Sequence, residues 1–362
     1  MQKTAIALLI YTFTIFTIST SMAQKPLSDR SWSSVATGMP DKWYGSEESI
    51  AIAETVLLYQ RNIGGWPKNT PFHQPISVSE KAMIIKDKNK SDAIFDNGAT
   101  TTEMRFLAKM YSKVRNGSYK IAFEKGLRFI LNAQYENGGW PMFYPLKQGY
   151  YTHITFNDDA TFRLMTLLKD IYNEEPLYTF VNNKEIISDA KKAWERGLSC
   201  ILKTQIVVNG APTVWCAQHD EITFLPAKAR AYELPSFSGA ESVGLLKILM
   251  DIENPSPEII RSVKVGIKWL EEHQLKNTRW DSFTNSEGKS DRRIVPDPKA
   301  GSMWARFYDL ETALPYVSDR DGIKKGTLEE IGYERRNGYS WYTTLPQKTL
   351  DDYPIWNEKW GK

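Results

Sequence analysis

Apolar residues recur at i, i+4 and i+7 in three segments of the chain: Phe123, Leu127, Ile130; Trp194, Leu198, Ile201; and Val263, Ile267, Leu270. At helical pitch each trio falls on one face, so each segment is predicted to be a helix with a single buried stripe. Each helix runs into a glutamine that is followed by a turn and a tryptophan, and the same pairing occurs once earlier. The four pairs are Gln60/Trp66, Gln134/Trp140, Gln205/Trp215 and Gln274/Trp280, with successive glutamines 74, 71 and 69 residues apart. A glycine (Gly126, Gly197, Gly266) sits eight residues ahead of each of the last three glutamines. Glycine inside a helix costs about 1 kcal/mol against alanine, so three in register predict close helix–helix approach. The period marks one supersecondary unit laid down repeatedly.

A second kind of segment follows each of the first three tryptophan turns. Ala99-Thr100 leads into Leu107, Met110 and Tyr111; Ala160-Thr161 into Leu164, Leu167, Leu168 and Ile171; Ala240-Glu241 into Leu245, Ile248, Leu249 and Ile252. These are predicted helices too, and Thr100-x-x-Glu103 and Ser238-x-x-Glu241 fit capping boxes at two of their starts. Two helices per repeat, each burying one face, stack as hairpins; three or more hairpins can close into a ring whose loops build a site at one end. The expected fold is therefore an all-α toroid with strands only as small accessories. The connectors, residues 64–98, 137–159, 208–238 and 277–304, read as irregular, and long irregular loops in a compact domain are usually functional.

Ahead of the repeats, Lys3, an apolar run from Ala5 to Ile18 and Ser21-Met22-Ala23 read as a secretory signal peptide (residues 1–23) cut after Ala23. The run is shorter than the roughly 20 residues of a spanning helix, and no later stretch is long enough to cross a bilayer. The expected location is thus periplasmic or secreted, with no membrane contact after cleavage. Residues 24–45 read as a polar arm, extended or as a short helix, and residues 46–362 as the toroid domain with its tail. A net charge of +3 is nearly balanced and gives no reason to expect nucleic acid. Twelve tryptophans and eighteen tyrosines supply rings that can stack on sugars, although most such rings fill cores. Cys200 and Cys216 could pair in an oxidising compartment or stay as buried thiols.

Three connectors gather polar residues just before the second helix of their repeats: Phe95-Asp96-Asn97-Gly98, Phe156-Asn157-Asp158-Asp159, and Trp215 to Asp220 followed by Pro226 to Glu233. A ring would bring them to one face. Asp96, Asp158 and Asp159 are hard oxygen ligands of the kind Ca2+ accepts, but not at EF-hand spacing. Aspartate directly before a helix is also a common N-cap. Arg230, Arg292, Arg293, Arg306 and Arg320 fall in or beside the later connectors. Arginine holds carboxylates in bidentate fashion, so the set suits an anionic sugar; solvated ion pairs are the alternative.

Gly-Gly-Trp-Pro-Lys-Asn (64–69), Asp-Asn-Gly-Ala-Thr (96–100), Asn-Gly-Gly-Trp-Pro (137–141), His-Ile-Thr-Phe-Asn-Asp-Asp-Ala (153–160), Trp-Cys-Ala-Gln-His-Asp (215–220) and Ala-Arg-Ala-Tyr-Glu-Leu-Pro-Ser (229–236) together resemble polysaccharide lyase family 10, the pectate lyases with an (α/α)3 toroid. The resemblance runs from about residue 45 to 325. It implies cleavage of polygalacturonate by anti β-elimination, with Ca2+ recruited alongside the substrate, by a protein expected to be a monomer. By position it implies Arg230 as the base, Asp96, Asp158 and Asp159 on the cation side, and Arg292, Arg306 and Arg320 on substrate carboxylates, with Arg292 and Arg293 able to exchange roles. It also implies substrate contacts at His219 and Trp140. Arginine is an unusual base, since its pKa exceeds about 12, and it can act only where neighbouring cations and exclusion of water disfavour its charged form. Two other readings are open. A helical-barrel glycoside hydrolase would pair Asp158 or Asp159 with Asp220 or Glu221 as acid and base, and a non-catalytic ring would only capture pectin fragments. A terpenoid cyclase, which the glutamine–tryptophan turn also suggests, would need a second helical domain.

Overall fold

A computed structural model describes residues 25–361, so the signal-peptide expectation lies outside the described residues. Among the described residues there are eleven α-helices: α1 (Trp32–Gly38), α2 (Glu47–Tyr59), α3 (Val78–Lys86), α4 (Thr101–Val114), α5 (Gly117–Ala133), α6 (Ala160–Tyr172), α7 (Lys184–Thr204), α8 (Glu241–Met250), α9 (Pro257–Glu272), α10 (Tyr333–Gly338) and α11 (Leu345–Trp360). None of them is long and apolar enough to cross a membrane. The hairpins α4/α5, α6/α7 and α8/α9 are the three units of an (α/α)3 toroid. Helices α4, α6 and α8 are neighbours in one row; α2 packs on the first hairpin and α11 on the third. The expected all-α ring is what the chain forms.

The repeat has a physical cause at each marker. The tryptophan of each turn is fully buried and its indole N–H donates to the carbonyl four residues before the glutamine: Trp66 to Val56, Trp140 to Ile130 and Trp215 to Ile201, at 2.8, 3.0 and 2.7 Å. The glutamine amide donates to its own turn and to the next outer helix. Gln60 reaches Ala122, Gln134 reaches Ala193 and Gln205 reaches Ser262, so each glutamine stitches one repeat to the following one. The helix glycines admit this packing: a Cβ on Gly197 would lie 2.4 Å from Met165 Sδ and 3.0 Å from a Trp140 ring carbon.

The fourth pair is corrected. Trp304, not Trp280, donates its indole N–H to Leu270, four residues before Gln274, at 2.8 Å. The stretch 277–304 is also not irregular. Thr278–Thr284 and Ser290–Pro296 form a seven-residue antiparallel hairpin inserted between glutamine and tryptophan. Its strands are mostly half-exposed and carry Arg279, Asp281, Arg292 and Arg293, so no apolar alternation announces them.

Of the two forms expected for 24–45, the structure has the short helix: α1 packs on α4 with Val35 and Ala36 fully buried. The capping boxes at 100 and 238 do not form. Thr100 has φ 68° and bridges Trp66 N and Ile94 O, while Glu103 instead accepts the Trp32 indole N–H. Ser238 does bond Glu241, but α8 starts at Glu241 itself, after Ala240. Cys200 and Cys216 are buried and free, and burial raises both thiols.

Candidate active site

The connectors zip together at one end of the ring. Phe95 N donates to Met142 O, Phe156 N and Asn157 N both donate to Ala217 O, and Gly239 N donates to Arg306 O. Residues 154–155 pair with 218–219, and 237–238 pair with 307–308. Each connector thus carries its polar residues to the same face as the next.

The first two connectors make the same short 3-10 turn before their helix, with Asn97 and Asp158 both left-handed at φ 54° and 49°. By this geometry Asp96 corresponds to Asn157, and Asn97 to Asp158. Neither turn uses its carboxylate as a helix cap. Instead Asn157 Nδ2 donates to Asp96 Oδ1 at 3.2 Å and to Asp158 Oδ2 at 2.9 Å, which joins the two acids. Lys68 Nζ donates to Asp96 Oδ2 at 2.5 Å. Arg306 Nη2 donates to Asn157 Oδ1 at 3.0 Å, to Asp158 Oδ1 at 2.9 Å and to Glu241 Oε1. Burial opposes ionisation of Asp158, but the Arg306 guanidinium outweighs it and holds the carboxyl below its ordinary value. Burial, then Glu241, raise Asp159, whose oxygen lies beside Gly244 of α8 rather than on the Asn157 fork.

Arg230 comes from a tight turn in which Ala229 N donates to Glu233 O and Glu233 N to Arg230 O. Its guanidinium is clamped by Glu233 through Nε at 2.7 Å and Nη2 at 2.5 Å, and Tyr339 OH donates to the same carboxylate at 2.7 Å. The Arg230 guanidinium lies 5.1 Å from the Tyr232 ring centre and 5.6 Å from that of Tyr339, while Arg306 lies 4.9 Å from Tyr339 on its own account. Arg230 also contributes to lowering Asp158. The base candidate and the paired acids therefore belong to one connected constellation. Burial disfavours the Arg230 charge, yet Glu233 more than compensates and the pKa is raised.

The remaining predicted residues separate. Arg292 donates to Asn337 O at 2.7 Å, on the side of α10, whereas its neighbour Arg293 is exposed and paired with Asp281. Arg320 is exposed and pairs with Glu334, which also holds Arg335; the Arg335 guanidinium lies 4.4 Å from the Tyr232 ring centre. Two expectations are corrected. Trp140 is fully buried as the indole strut of its turn, so no face is open to a sugar. His219 is fully buried too; its Nε2 accepts from Cys216 N and its Nδ1 bonds Phe224 O, and burial lowers its pKa to about 4. It fixes the loop. Sequence reading missed Lys68, Glu233, Glu241, Arg335 and Tyr339. The Arg-x-x-Glu spacing of 230 and 233 was a usable local signal; nothing near residue 339 points to residue 230.

The hydrolase pairing finds no support here. Asp220 Oδ1 accepts from Ile222 N, Thr223 N and Thr223 Oγ1, and Glu221 bonds His153 Nδ1 at 3.0 Å. Both carboxyls are lowered, so neither suits the general acid, and the raised Asp159 has its oxygen beside Gly244 of α8 rather than toward them.

The ring of helical hairpins and the cluster of guanidinium groups and carboxylates at one end of it belong to a polysaccharide lyase, as the following likenesses show. Residues 60–350 match the family model of the pectic acid lyases, and the chain belongs to that family. It is similar to a Family 10 polysaccharide lyase from Cellvibrio cellulosa, solved as an aspartate-to-alanine mutant in complex with trigalacturonic acid: identity is 36%, 91% of this chain and 96% of that chain are covered, and the TM-score is 0.76. A second structure of a Family 10 polysaccharide lyase from Cellvibrio cellulosa gives 35%, 91%, 95% and 0.74. No curated protein matches the chain.

Proposed function

We propose that the protein is a pectate lyase that cleaves polygalacturonate by anti β-elimination, with Arg230 as the base. The observation that carries this reading is the connected set of Arg230, Glu233, Tyr339, Arg306, Asp158, Asn157 and Asp96 in a chain of the pectic acid lyase family. The proton removed sits on the carbon next to the uronate carboxylate. Its bonding pair forms the new double bond to the neighbouring carbon, whose bond to the glycosidic oxygen breaks, and that oxygen takes up a proton. The products are a shortened chain and a 4,5-unsaturated sugar end.

The developing charge spreads onto the uronate carboxylate, so fixed cations there stabilise the transition state. Arg292, Arg320 and Arg335 are the guanidinium groups proposed to orient substrate carboxylates; Arg306, expected among them, is 7% exposed with its Nη2 on Asn157, Asp158 and Glu241, and is proposed instead to act by holding Asp158. The donor set fits Ca2+: Asp96 and Asp158, forked on one amide, are hard oxygen donors already balanced by Lys68 and Arg306, while the crowding of Asp159 by Glu241 and Asp158 is what a further cation would relieve. Asp96 and Asp158, with Asp159 outside them, are the proposed ligands; when bound, the ion would help neutralise the uronate.

Arg230 must be neutral to accept a proton, while Glu233 favours its charged form. The neutral fraction grows tenfold per pH unit below the pKa, so turnover is expected to rise with pH well into the alkaline range. The test is incubation with polygalacturonate, with and without chelator, read by near-ultraviolet absorbance of the unsaturated end. Arg230→Ala should leave binding nearly intact and remove turnover. Unsaturated product released by that variant at a near wild-type rate would remove the base assignment.

A further inference from the structure

Beside the acids lies a cavity of ≈ 400 Å³ that the reaction as proposed does not use. That volume falls within the range of about 300–1,000 Å³ typical of small-ligand sites. Its walls include Trp32, Lys68, Asn69, His73, Asn97 and Glu103. It adjoins the acid cluster through Lys68, whose ammonium sits on Asp96 while the residue lines the cavity. Part of the wall comes from the start of α1 and the residues just before it, in the segment read from sequence as an arm or short helix.

Comparison of the repeats sharpens the point. In the second tryptophan turn, Trp140-Pro141 is followed by Met142 and Phe143, and Met142 is buried. In the first, Trp66-Pro67 is followed by exposed Lys68 and Asn69. The first turn therefore departs from the packing role of its counterpart where the cavity opens. Asn97 Nδ2 donates to Asn69 Oδ1 at 3.0 Å, so this polar rim is tied together.

Trp32 is half-buried and held in one orientation. Its ring packs edge-on against Phe72 and Phe106 at 5.0 and 5.2 Å and lies parallel to the His73 ring with centroids 6.2 Å apart, and its indole N–H donates to Glu103 Oε1 at 2.7 Å. Glu103 is 1% exposed, lines the cavity, and its second oxygen, Oε2, has no hydrogen-bond partner among the described residues. A buried oxygen left unpaired in a cavity wall can be satisfied by a water or by a ligand hydroxyl that enters the cavity. An aromatic face, a buried carboxyl and a rim of amide and ammonium donors are the ingredients of a sugar site, and the ammonium suits an acidic sugar.

We propose that this cavity is a distal subsite that takes a further uronate unit of the same polymer, stacked on Trp32, with a ring hydroxyl on Glu103 and the Lys68-Asn69 rim at its carboxylate. This rests on the lyase reading. Burial pushes the Glu103 carboxyl up to about 7, so near neutrality it can donate to as well as accept from a hydroxyl.

The experiment measures kcat/KM on galacturonate oligomers from trimer to hexamer in wild type, Trp32→Ala, Glu103→Gln and Asn69→Ala. Wild type is expected to gain with length, and each variant to lose roughly threefold to tenfold of the hexamer-to-trimer ratio, the scale of one aromatic or polar contact. Since Trp32→Ala also removes packing, Asn69→Ala, a surface change, keeps the test open if the first variant folds poorly. A wild-type rate that does not grow with length, or variants that lower all lengths equally, overturns the subsite. A length gain on neutral oligosaccharides equal to that on galacturonates overturns the uronate assignment. If wild type forms no unsaturated product at all, the lyase reading fails instead, and the two failures are thereby distinct.

Discussion

Replacing Arg306 by methionine tests the electrostatic logic of the site most directly. Arg306 is 7% exposed, and its Nη2 serves Asn157, Asp158 and Glu241 together. Methionine would fill much of the stem volume but leave two carboxylates without their cation. Breaking a buried ion pair by removing one partner costs about 3–5 kcal/mol. The Asp158 side chain is 32% exposed and that of Glu241 3%, so the penalty falls mainly on Glu241, and a total of about 3 kcal/mol is expected. With a urea m-value of about 3 kcal/mol/M, the unfolding midpoint at pH 8 should drop by about 1 M. The pH dependence has a definite sign. Arg306 depresses Asp158 in the folded state, so its contribution is present above the unfolded carboxyl value of about 3.9 and is lost as pH falls through the folded value. The gap between wild type and variant should therefore narrow below about pH 4. The assay is urea unfolding followed by tryptophan fluorescence at pH 8 and at pH 3.5. A midpoint shift under about 0.3 M at pH 8, or an equal gap at both pH values, would refute the argument.

Glu233→Gln should lower turnover on the order of 100-fold through lost orientation of Arg230 while moving the pH–rate profile to lower pH, because the anion that keeps Arg230 charged is gone; a profile that does not move would detach Glu233 from that proton. Asp96→Ala should raise the Ca2+ concentration needed for half-maximal activity, and an unchanged titration counts against it as a ligand. Gly138→Ala should destabilise more than Gly197→Ala in thermal unfolding, because a Cβ at Gly138 would sit 2.0 Å from the Arg196 carbonyl at φ 94°, whereas Gly197 meets the more pliable Met165 Sδ. Trp304→Phe should cost more stability than Trp280→Phe, since only Trp304 is fully buried with its N–H on Leu270; equal losses would restore Trp280 as the fourth strut.

The glutamine–tryptophan period, the glycines and the single apolar stripes were enough to determine the ring of hairpins, because each is local: a helix face, its end and its turn are set within about fifteen residues. The motif glycines of the first two turns belong to this level as well. Gly64 and Gly138 have positive φ and would place a Cβ 2.4 and 2.0 Å from the carbonyls of Lys125 and Arg196, so they serve packing rather than chemistry. The same locality misled where an insertion intervened, as when the hairpin moved the fourth strut from Trp280 to Trp304. It also misled where burial decided a role: Trp140 and His219 sit in conspicuous motifs, yet both are enclosed. What only the tertiary structure decided is which charges meet. Arg306 reaches Asp158 across 148 residues and Tyr339 reaches Glu233 across 106. Trp32 reaches Glu103 across 71 residues, which turns an apparent arm into a wall of a cavity. Such contacts leave no periodicity in the chain, because they are made by loops that the helices bring together, and a side chain's protonation and exposure depend on that meeting rather than on its neighbours in sequence.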